Sequence, residues 1–509
     1  MNGGGQTWSP DRDQRKFIRD YGNKVLNGEG ALFVGAGASR AAGFVDWRGL
    51  LTEVAEDLEL DIDKEHDLLA LAQFHVNDKG GRGNLDDRLI EAFTKDAVPT
   101  PVHEVLARLP IDTVWTTNYE QLLEQAYEAA GRRVEVKLSI QNLAQARKGR
   151  DVTIYKMHGC VTHPHEAVLT KQDYELYDVK RRLFTDSLKG DFIEKTLLFI
   201  GFSFSDPNVE RILSKVREQL EQRCRQHFWI TRRTPAVCPE GRRNAEELSY
   251  ERRRADLHSG DLKRYGIQTV WVDEYEHIPE LLRALEAYVM RRGVFVSGAA
   301  ADAAPLGEAR LNELSRALGR ELIVNGFNLV SGFGVGIAEQ TIIGAYRGVY
   351  ESTQSQPAER VLIRPFPGQA PERTRSAAFR KHRVDMICRV GALIVLAGNK
   401  AGDTGEVTPS PGVREEVEIA LELGKPVIPI GVSGHVAREV WEAAAQNPEK
   451  YLPSLNAAAE LKTLGDVSAT TSQLLDAVMN LLRRAEAIAC GRDGLDPLER
   501  THFLTVAKT

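Results

Sequence analysis

Two polar residues of this chain stand where a parallel sheet would place groups able to do chemistry. Asn118 follows the apolar run Thr113–Thr116, and His158 follows the run Thr153–Met157. An asparagine amide offers both a donor and an acceptor, so Asn118 could hold a departing amide group. An imidazole has a pKa near neutral pH, so His158 could act as a general base. A single histidine is more simply interpreted as structural, so this assignment depends on its surroundings.

A glycine-rich loop precedes both residues in the chain. The apolar run Ala31–Val34 predicts a buried strand. The residues that follow it are Gly35, Ala36, Gly37, Ala38 and Ser39. Glycines let a backbone approach a ligand closely, and amides at the start of the next helix could hold a diphosphate. The same pattern occurs in turns that only pack closely, but together with Asn118 and His158 it predicts a nucleotide site.

Strand-like and helix-like segments alternate along the first half, which predicts an α/β fold with mainly parallel sheets. Beyond the first strand, we expect strands near residues 113–116, 153–157, 197–200, 227–230 and 269–272. Residues 46–110 are rich in Leu, Ala, Asp and Glu, and they predict a small helical insertion. The helix expected over residues 278–291 closes this part, so we predict a first domain over residues 1–288.

The alternation then restarts, which predicts a second Rossmann-like domain over residues 289–509. Its strands are expected near residues 293–298, 328–331, 361–363, 392–396 and 426–430. Small-residue turns occur at Ser297 and Gly298, and at Gly332, Gly334 and Gly336. Such turns favour phosphate through bare amides and helix N-termini, although a purely structural domain with tight turns would show the same pattern.

Five segments of the first half resemble, in the same order, motifs of the sirtuin family. The loop at residues 35–39 resembles the dinucleotide loop, and Gly-Phe-Val-Asp-Trp-Arg at residues 43–48 resembles the mobile segment over the cofactor. Thr-Asn-Tyr-Glu at residues 117–120 resembles Gln-Asn-Ile-Asp, which surrounds the nicotinamide. His158 with Gly159 resembles the catalytic His-Gly pair, and Gly-Phe-Ser at residues 201–203 resembles the turn at the adenosine ribose.

The resemblance implies a set of residues for binding and cleaving NAD+. Asn118 and His158 would be catalytic, and breaking the nicotinamide–ribose bond would create an oxocarbenium-like centre. The residues implied to bind the dinucleotide are Gly35, Ala36, Gly37, Ser39, Asp46, Arg48, Asn118, Glu120, Gly201 and Ser203.

The chain lacks the zinc module of sirtuin deacetylases, which is made of two Cys-x-x-Cys pairs. Its five cysteines are Cys160, Cys224, Cys238, Cys388 and Cys490, and no two have that spacing. The cluster of His158, Cys160, His163 and His165 also fits no standard zinc site. We therefore expect no metal, and the missing module disfavours deacylation of peptide lysines because it helps to form the peptide groove.

The second half resembles the SLOG family, which includes nucleoside-monophosphate phosphoribohydrolases and ligand-sensing relatives. The enzymes carry Pro-Gly-Gly-x-Gly-Thr-x-x-Glu, whereas residues 408–416 read Thr-Pro-Ser-Pro-Gly-Val-Arg-Glu-Glu. The double glycine and the threonine are absent, which favours binding over turnover. The residues expected to hold a phosphate-bearing ligand are Ser297, Gly298, Gly332, Gly334, Arg383, Lys400 and Glu416.

A sirtuin-like half joined to a SLOG half is the arrangement of effectors of Thoeris antiphage defence, and the resemblance covers nearly the whole chain. It implies that the first half hydrolyses NAD+ to ADP-ribose and nicotinamide. It also implies that the second half binds a cyclic ADP-ribose isomer made by a partner TIR-domain protein, and that the chain forms a homotetramer. Two alternatives stay open: an NAD-dependent protein deacylase, and a nucleotide sensor with an idle sirtuin-like half.

Composition agrees with an intracellular enzyme. The 509 residues suffice for more than one domain, and 42% of them are hydrophobic. The net charge of −6 comes from 66 basic and 72 acidic residues, without the strong basic stripe that nucleic acid as an obligatory partner would require. No apolar run approaches the ~20 residues that span a bilayer, and no secretory leader is recognisable at the N-terminus. Few, scattered cysteines predict a cytoplasmic location.

Overall fold

The computed structural model describes residues 8–94, 96–145, 147–204, 206–220, 224–235, 244–351, 360–366, 372–402 and 405–491. Cys238, which entered the search for a zinc site, lies outside the described residues. Internal contacts divide the chain into two compact units, Met1–Glu286 and Ala287–Thr509.

The described residues of the first unit form a seven-stranded sheet whose neighbouring strands are all parallel. Its strands are β1 (Gly30–Val34), β2 (Thr113–Thr116), β3 (Val134–Lys137), β4 (Val152–Lys156), β5 (Thr196–Ile200), β6 (His227–Arg232) and β7 (Ile267–Val272). They lie in the order β3-β4-β2-β1-β5-β6-β7. The order reverses between β1 and β5, and ligands of such sheets bind at the carboxyl ends of the strands beside that point.

Helices cover this sheet, which explains why its central strands β1, β2 and β5 are buried throughout. Every residue of β1 and of β5 is buried, as expected for parallel strands with helices on both faces. The helices are α1 (Arg12–Leu26), α2 (Trp47–Asp57), α3 (Leu68–Asp78), α4 (Gly83–Phe93), α5 (Pro101–Arg108), α6 (Leu122–Ala129), α7 (Ile140–Leu143), α8 (Lys171–Glu175), α9 (Tyr177–Lys180), α10 (Arg182–Glu194), α11 (Pro207–Leu220), α12 (Ala245–Leu262) and α13 (His277–Met290). Helices α2 to α5 are the predicted helical insertion.

Two local expectations for this unit were incomplete. Strand β3 was missed because Val-Glu-Val-Lys alternates apolar and charged residues, although Glu135 and Lys137 are both buried and paired with each other at 2.9 Å. The glycine loop after β1 was expected to open a helix. It forms two short 3₁₀ turns instead, Ala36–Ala38 and Arg40–Ala42, and the next α-helix begins only at Trp47.

The described residues of the second unit form a five-stranded parallel sheet and a small antiparallel hairpin. The strands are β8 (Gly293–Ala299), β9 (Asn328–Ser331), β10 (Val361–Ile363), β11 (Ala392–Ala397), β12 (Asn399–Ala401), β13 (Val407–Pro409) and β14 (Val427–Pro429). The sheet order is β10-β9-β8-β11-β14, so its order reverses between β8 and β11. The hairpin of β12 and β13 was not predicted.

The helices of the second unit are α14 (Glu308–Val324), α15 (Ala338–Glu351), α16 (Glu372–Ile387), α17 (Pro411–Glu422), α18 (His435–Gln446), α19 (Pro448–Tyr451), α20 (Ala458–Gly465) and α21 (Thr471–Ala489). The predicted fold class, two Rossmann-like α/β domains with a helical insertion in the first, is therefore confirmed.

Candidate active site and candidate ligand site

Two loops interlock at the point where the order of the first sheet reverses. The amide of Gly35 donates to the carbonyl of Ile200, and the amide of Gly37 donates to the carbonyl of Gly201, both at 2.9 Å. A Cβ on Gly35 would lie 2.5 Å from the Gly201 oxygen, and one on Gly37 would lie 2.8 Å from the Gly201 Cα. Packing between the loops therefore requires these glycines, a reason independent of any ligand.

Asn118 connects this loop pair to the end of β2. Its Nδ2 donates to the Gly35 carbonyl at 3.3 Å, to Ser39 Oγ at 3.2 Å and to Glu120 Oε1 at 2.8 Å. Ser39 Oγ in turn donates to Glu120 Oε1. The structure thus brings together Asn118, Glu120, Ser39 and the glycine loop, four features that the sequence assigned to one site.

Two acceptor atoms in this cluster have no hydrogen-bond partner in the part of the chain that the structure describes. Asn118 Oδ1 and Glu120 Oε2 are buried and find no hydrogen-bond partner among the described residues. Their residues are only 5% and 2% exposed. A buried polar atom without a partner costs about 1–3 kcal/mol, so the cluster is suited to a ligand that supplies N–H or O–H donors.

His158 lies at the same level as Asn118. Strands β2 and β4 pair with Thr116 opposite Lys156, and each of the two candidate residues follows its strand by two positions. His158 is 3% exposed, and the rings of Tyr174 and Tyr177 meet its ring edge-on at 5.6 and 6.2 Å. Burial lowers its pKa, although the nearby Asp206 carboxylate opposes that shift. The imidazole is therefore neutral at neutral pH, the form that a general base needs.

Lys156 holds the Asn118 loop, and sequence reasoning missed it. This lysine is fully buried, and its Nζ donates to the carbonyls of Tyr119 at 3.4 Å and Glu120 at 2.5 Å and to Glu124 Oε1 at 2.7 Å. Burial acts to lower its pKa, but Glu124 together with Cys160 and Glu120 more than offsets this, and the pKa is raised. A lysine inside an apolar strand was the available signal.

His103 is a second buried histidine of the site that the sequence did not reveal. Its Nε2 lies 3.4 Å from Ser39 Oγ, and its Nδ1 lies 2.8 Å from the hydroxyl of Thr100, the N-cap of α5. Burial lowers the pKa of His103 to about 4, so the ring is neutral. It can orient Ser39 but carries no charge into the cluster.

Five residues of the predicted dinucleotide set are exposed: Ala36 and Gly37 in the glycine loop, and Asp46, Arg48 and Ser203 outside it. Asp46 is the N-cap of α2 and accepts from the Gly49 amide at 2.9 Å. Arg48 donates to the carbonyl of Ile62 at 2.6 Å, a contact within the helical insertion. Ser203 is exposed in the loop after β5. Their contacts to a dinucleotide stay a prediction.

In the second unit, the predicted ligand residues Ser297 and Glu416 meet between β8 and α17. Ser297 Oγ donates to Glu416 Oε2 at 2.5 Å, and both side chains are buried. Burial raises the pKa of Glu416 to about 7, even though the Ser297 hydrogen bond and Arg383 act against it. This carboxyl group therefore changes charge near neutral pH.

Arg383, on α16, joins the same cluster. Its Nη1 donates to Glu415 Oε2 at 2.6 Å, and its Nε lies 3.5 Å from Glu416 Oε1. Its guanidinium stacks over the ring of Phe366 at 4.8 Å. A Cβ on Gly412 would lie 2.6 Å from Arg383 Nη2, so this glycine leaves room for the guanidinium at the first turn of α17.

The other predicted ligand residues are Gly298 on β8, Gly332 and Gly334 in the loop after β9, and Lys400 on β12. Gly298 follows Ser297, and a Cβ there would lie 3.2 Å from a methyl group of Ile337. A Cβ on Gly332 would lie 3.1 Å from the Phe366 ring, while Gly334 is in the same loop. Lys400 is exposed on β12, opposite Thr408 of β13. Glu416 thus contacts both Ser297 and Arg383, and Lys400 lies on the hairpin.

Two features, a metal-binding cluster and a membrane-spanning helix, are absent from the described part of the chain. Within it, no group of three or more His, Cys, Asp or Glu side chains is placed to hold a metal ion. No helix among the described residues is both long enough and apolar enough to cross a bilayer.

Comparisons with known proteins agree with this geometry. The family of SIR2-like domains matches residues 112–255, and the Sir2- and TIR-associating SLOG family matches residues 277–485. The defense-associated sirtuin 2 of Bacillus subtilis is 26% identical over 227 residues, which are 43% of this chain and 22% of that protein.

Two relatives match over almost their whole length. The NAD(+) hydrolase ThsA of Bacillus cereus strain MSX-D12 is 36% identical over 478 residues, 93% of this chain and 98% of that protein. The NAD(+) hydrolase ThsA of Acinetobacter baumannii strain 532279 is 37% identical over 450 residues, 87% of this chain and 93% of that protein. Since both relatives are more than 30% identical and almost completely covered, the chain belongs to the ThsA family of NAD(+) hydrolases.

Proposed function

We propose that this chain hydrolyses NAD+ to ADP-ribose and nicotinamide in its first unit. The observation that carries the proposal is the placement of Asn118 and His158 at register-matched positions beyond β2 and β4. Beside them, Asn118 Oδ1 and Glu120 Oε2 are buried acceptors that lack partners among the described residues. Membership of a family of NAD(+) hydrolases supports the same activity.

The two acceptors suit the carboxamide of nicotinamide. Its NH₂ group offers two donors, which would satisfy Asn118 Oδ1 and Glu120 Oε2 and hold the leaving group in place. The bond between nicotinamide and the ribose carbon then breaks, and both of its electrons go to the nicotinamide nitrogen. A positively charged, oxocarbenium-like ribose remains, and the negative charge of the Glu120 carboxylate in the same cluster would stabilise it.

Water completes the reaction. A water molecule attacks the ribose carbon and forms the new C–O bond, while its proton passes to the neutral imidazole of His158. The proton is then released to solvent, so the products are ADP-ribose, nicotinamide and one proton. The dinucleotide would lie along Gly35, Ala36, Gly37 and Ser39, with Gly201 and Ser203 at the adenosine ribose and Asp46 and Arg48 covering it.

Incubation of the purified chain with NAD+ and no acylated peptide tests this proposal, with nicotinamide and ADP-ribose measured by chromatography. The wild type should release both, and His158→Ala and Asn118→Ala should release neither. His165→Ala, which changes an exposed histidine seven residues from His158, serves as the matched control. Undiminished cleavage by His158→Ala would overturn the assignment, and a requirement for an acyl-lysine peptide would instead favour the deacylase.

The same proposal has a second part, which concerns control by the second unit. A cyclic ADP-ribose isomer made by a TIR-domain partner binds at Ser297, Gly298, Gly332, Gly334, Arg383, Lys400 and Glu416 and switches on the first unit. The buried contact of Ser297, Arg383 and Glu416 at the reversal point of the second sheet supports this site. The chain would act in the cytoplasm as a homotetramer that depletes NAD+ after phage infection.

Activation requires that the ligand bind the active state more tightly than the inactive one. A hundredfold difference in affinity corresponds to ~2.7 kcal/mol of coupling. Arg383 is held by Glu415, to which it donates a hydrogen bond of 2.6 Å. A diphosphate would compete with that carboxylate for Arg383, so binding changes the contacts at the start of α17.

Titration calorimetry with cyclic ADP-ribose isomers tests the site. Arg383→Ala and Glu416→Ala should each weaken binding at least about tenfold, since each removes a buried partner. Arg414→Ala is the matched control, because Arg414 lies on the same helix but pairs with Glu439 at the surface. Unchanged affinity in both Arg383→Ala and Glu416→Ala would place the ligand elsewhere.

A further inference from the structure

Asp206 stands at the start of α11 with its two carboxylate oxygens in different roles. Oδ1 accepts from the amides of Asn208 and Val209, both at 3.0 Å, and thereby caps the helix. Oδ2 accepts from the hydroxyl of Tyr174 at 3.1 Å and lies 3.2 Å from His158 Nε2. Three hydrogen-bond donors thus hold the carboxylate in place, with Oδ2 close to His158, the proposed base.

The groups facing His158 come from several elements. Tyr174 of α8 and Tyr177 of α9 present ring edges, and the Tyr177 hydroxyl donates to the Met157 carbonyl at 3.0 Å. Arg181 lies between α9 and α10 and donates to the carbonyls of Leu138 and Glu166. Burial lowers the pKa of His158, Asp206 raises it, and Arg181 lowers it. Asp206 is thus the carboxylate that favours the protonated ring.

Asp206 and the neutral ring of His158 are in contact without an aligned hydrogen bond. The two atoms are 3.2 Å apart, yet Nε2 finds no hydrogen-bond partner of acceptable geometry among the described residues. The two atoms are therefore close enough for a hydrogen bond, but the angle at the donor does not allow one. Catalytic hydrogen bonds are often misaligned without substrate and tighten in its presence.

We propose that Asp206 is the positioning residue of His158, holding the ring proton on Nε2 so that Nδ1 is the atom that accepts a proton. The inference rests on the proposed hydrolysis of NAD+ with His158 as base. When Nδ1 takes the proton of the attacking water, the ring becomes an imidazolium and its Nε2–H faces the carboxylate. Asp206 stabilises that charge and keeps its own protonation unchanged, as a carboxylate beside an imidazole does in other hydrolases.

The substitution Asp206→Asn separates this role from the helix cap. Asparagine caps helices about as well as aspartate, so α11 keeps its first turn while the charge beside His158 is lost. Under conditions in which the wild type turns over, we expect kcat to fall at least about tenfold and KM to change little. The acid limb of kcat/KM should also move to lower pH, because the group that raises the pKa of His158 is gone.

Tyr174→Phe is the matched control, since it removes a hydrogen bond to Asp206 and keeps the carboxylate. It should lower kcat less than Asp206→Asn and leave the acid limb in place. Wild-type kcat and an unshifted limb in Asp206→Asn, with His158→Ala inactive, would overturn the inference and leave the proposed function standing. Persistent cleavage by His158→Ala would instead overturn the proposed function.

A measurement on the unaltered chain covers the case in which Asp206→Asn does not fold. Nitrogen-15 NMR of the histidine rings distinguishes the two tautomers, and the His158 signals are assigned by their loss in His158→Gln. A neutral ring protonated at Nε2 is expected. A ring protonated at Nδ1 would contradict the role of Asp206.

Discussion

The two units place polar clusters at the same point of similar sheets, yet the clusters differ in how well they are satisfied. In the first unit, Asn118 and Glu120 each keep a buried acceptor atom without a partner among the described residues. In the second unit, Ser297 donates to Glu416 and Arg383 is held by Glu415, and the atom left without a hydrogen-bond partner among the described residues is a donor, Arg383 Nε. The first cluster is open toward a donor-bearing ligand, whereas the second is largely closed on itself.

This difference suits the two proposed roles. A catalytic site gains from groups that are fixed before the substrate arrives, because no reorganisation is then needed during the reaction. A sensing site gains from contacts that the ligand must replace, because the replacement is what distinguishes the bound state from the free one. The internal ion pair of Arg383 supplies such a replaceable contact.

The largest expected effect is the loss of activity when His158 is removed from the first unit, compared with the removal of Arg383 from the second. His158→Ala should lower kcat/KM for NAD+ by at least about 10³-fold, since it removes the general base. Arg383→Ala should leave the first unit chemically competent and remove only its response to the activator. Nicotinamide release by both variants checks this when each is also combined with a substitution that makes the first unit constitutively active. Equal loss in both variants in that background would mean that the two sites are not separable.

The next effect concerns the buried ion pair under the Asn118 loop. Lys156→Met removes the partner of the buried Glu124 carboxylate, and breaking such a pair costs about 3–5 kcal/mol. The free energy of unfolding of the first unit should fall by that amount in denaturant titration. Combining it with Glu124→Leu should restore part of the loss, whereas Lys171→Met, at an exposed pair, should change little. Wild-type stability of Lys156→Met would show that the pair is dispensable.

The third prediction uses pH to probe the closed cluster of the second unit. Burial raises the pKa of Glu416 from 4.5 to about 7, so the folded chain binds this proton more tightly than the unfolded chain does. Stability should therefore fall as the pH rises from about 4.5 to about 7, by roughly 3 kcal/mol in total.

Glu416→Gln cannot titrate and should lack that part of the fall. The melting temperature of Glu416→Gln, relative to that of the wild type, should increase as the pH rises. Glu422→Gln, at the exposed end of the same helix, should show the pH dependence of the wild type. Parallel pH profiles for the wild type and Glu416→Gln would contradict a raised pKa. Binding of the activator should show the same pH range if Glu416 contacts it.

The smallest effect separates a helix cap from a contact with the dinucleotide. Asp46→Ala removes the N-cap of α2 and should cost about 1 kcal/mol of stability, whereas Asp46→Asn keeps the cap. If Asp46 also covers the dinucleotide, the Asn variant should raise KM for NAD+ without a loss of stability. Unchanged KM in Asp46→Asn would limit this residue to the cap.

The sequence alone was sufficient for the fold class, the family and the two principal candidate catalytic residues. Apolar runs that end at small or polar residues predicted the strands, because a parallel sheet buries both faces of each strand. Asn118 and His158 were identifiable because each follows such a run directly. The order of the motifs then predicted the family, which the relatives confirm. These signals are all local in the chain.

Only the tertiary structure revealed the residues that hold those groups in place. Lys156, His103 and Asp206 act through partners on other elements, and burial and angle decide their roles. The contact of Gly35 with Gly201, which is distant in the chain, was likewise visible only in the structure, and binding of a ligand by Gly35 stays a prediction. A local pattern fixes which residues can do chemistry, but their protonation and orientation depend on long-range packing, which no short stretch of sequence records.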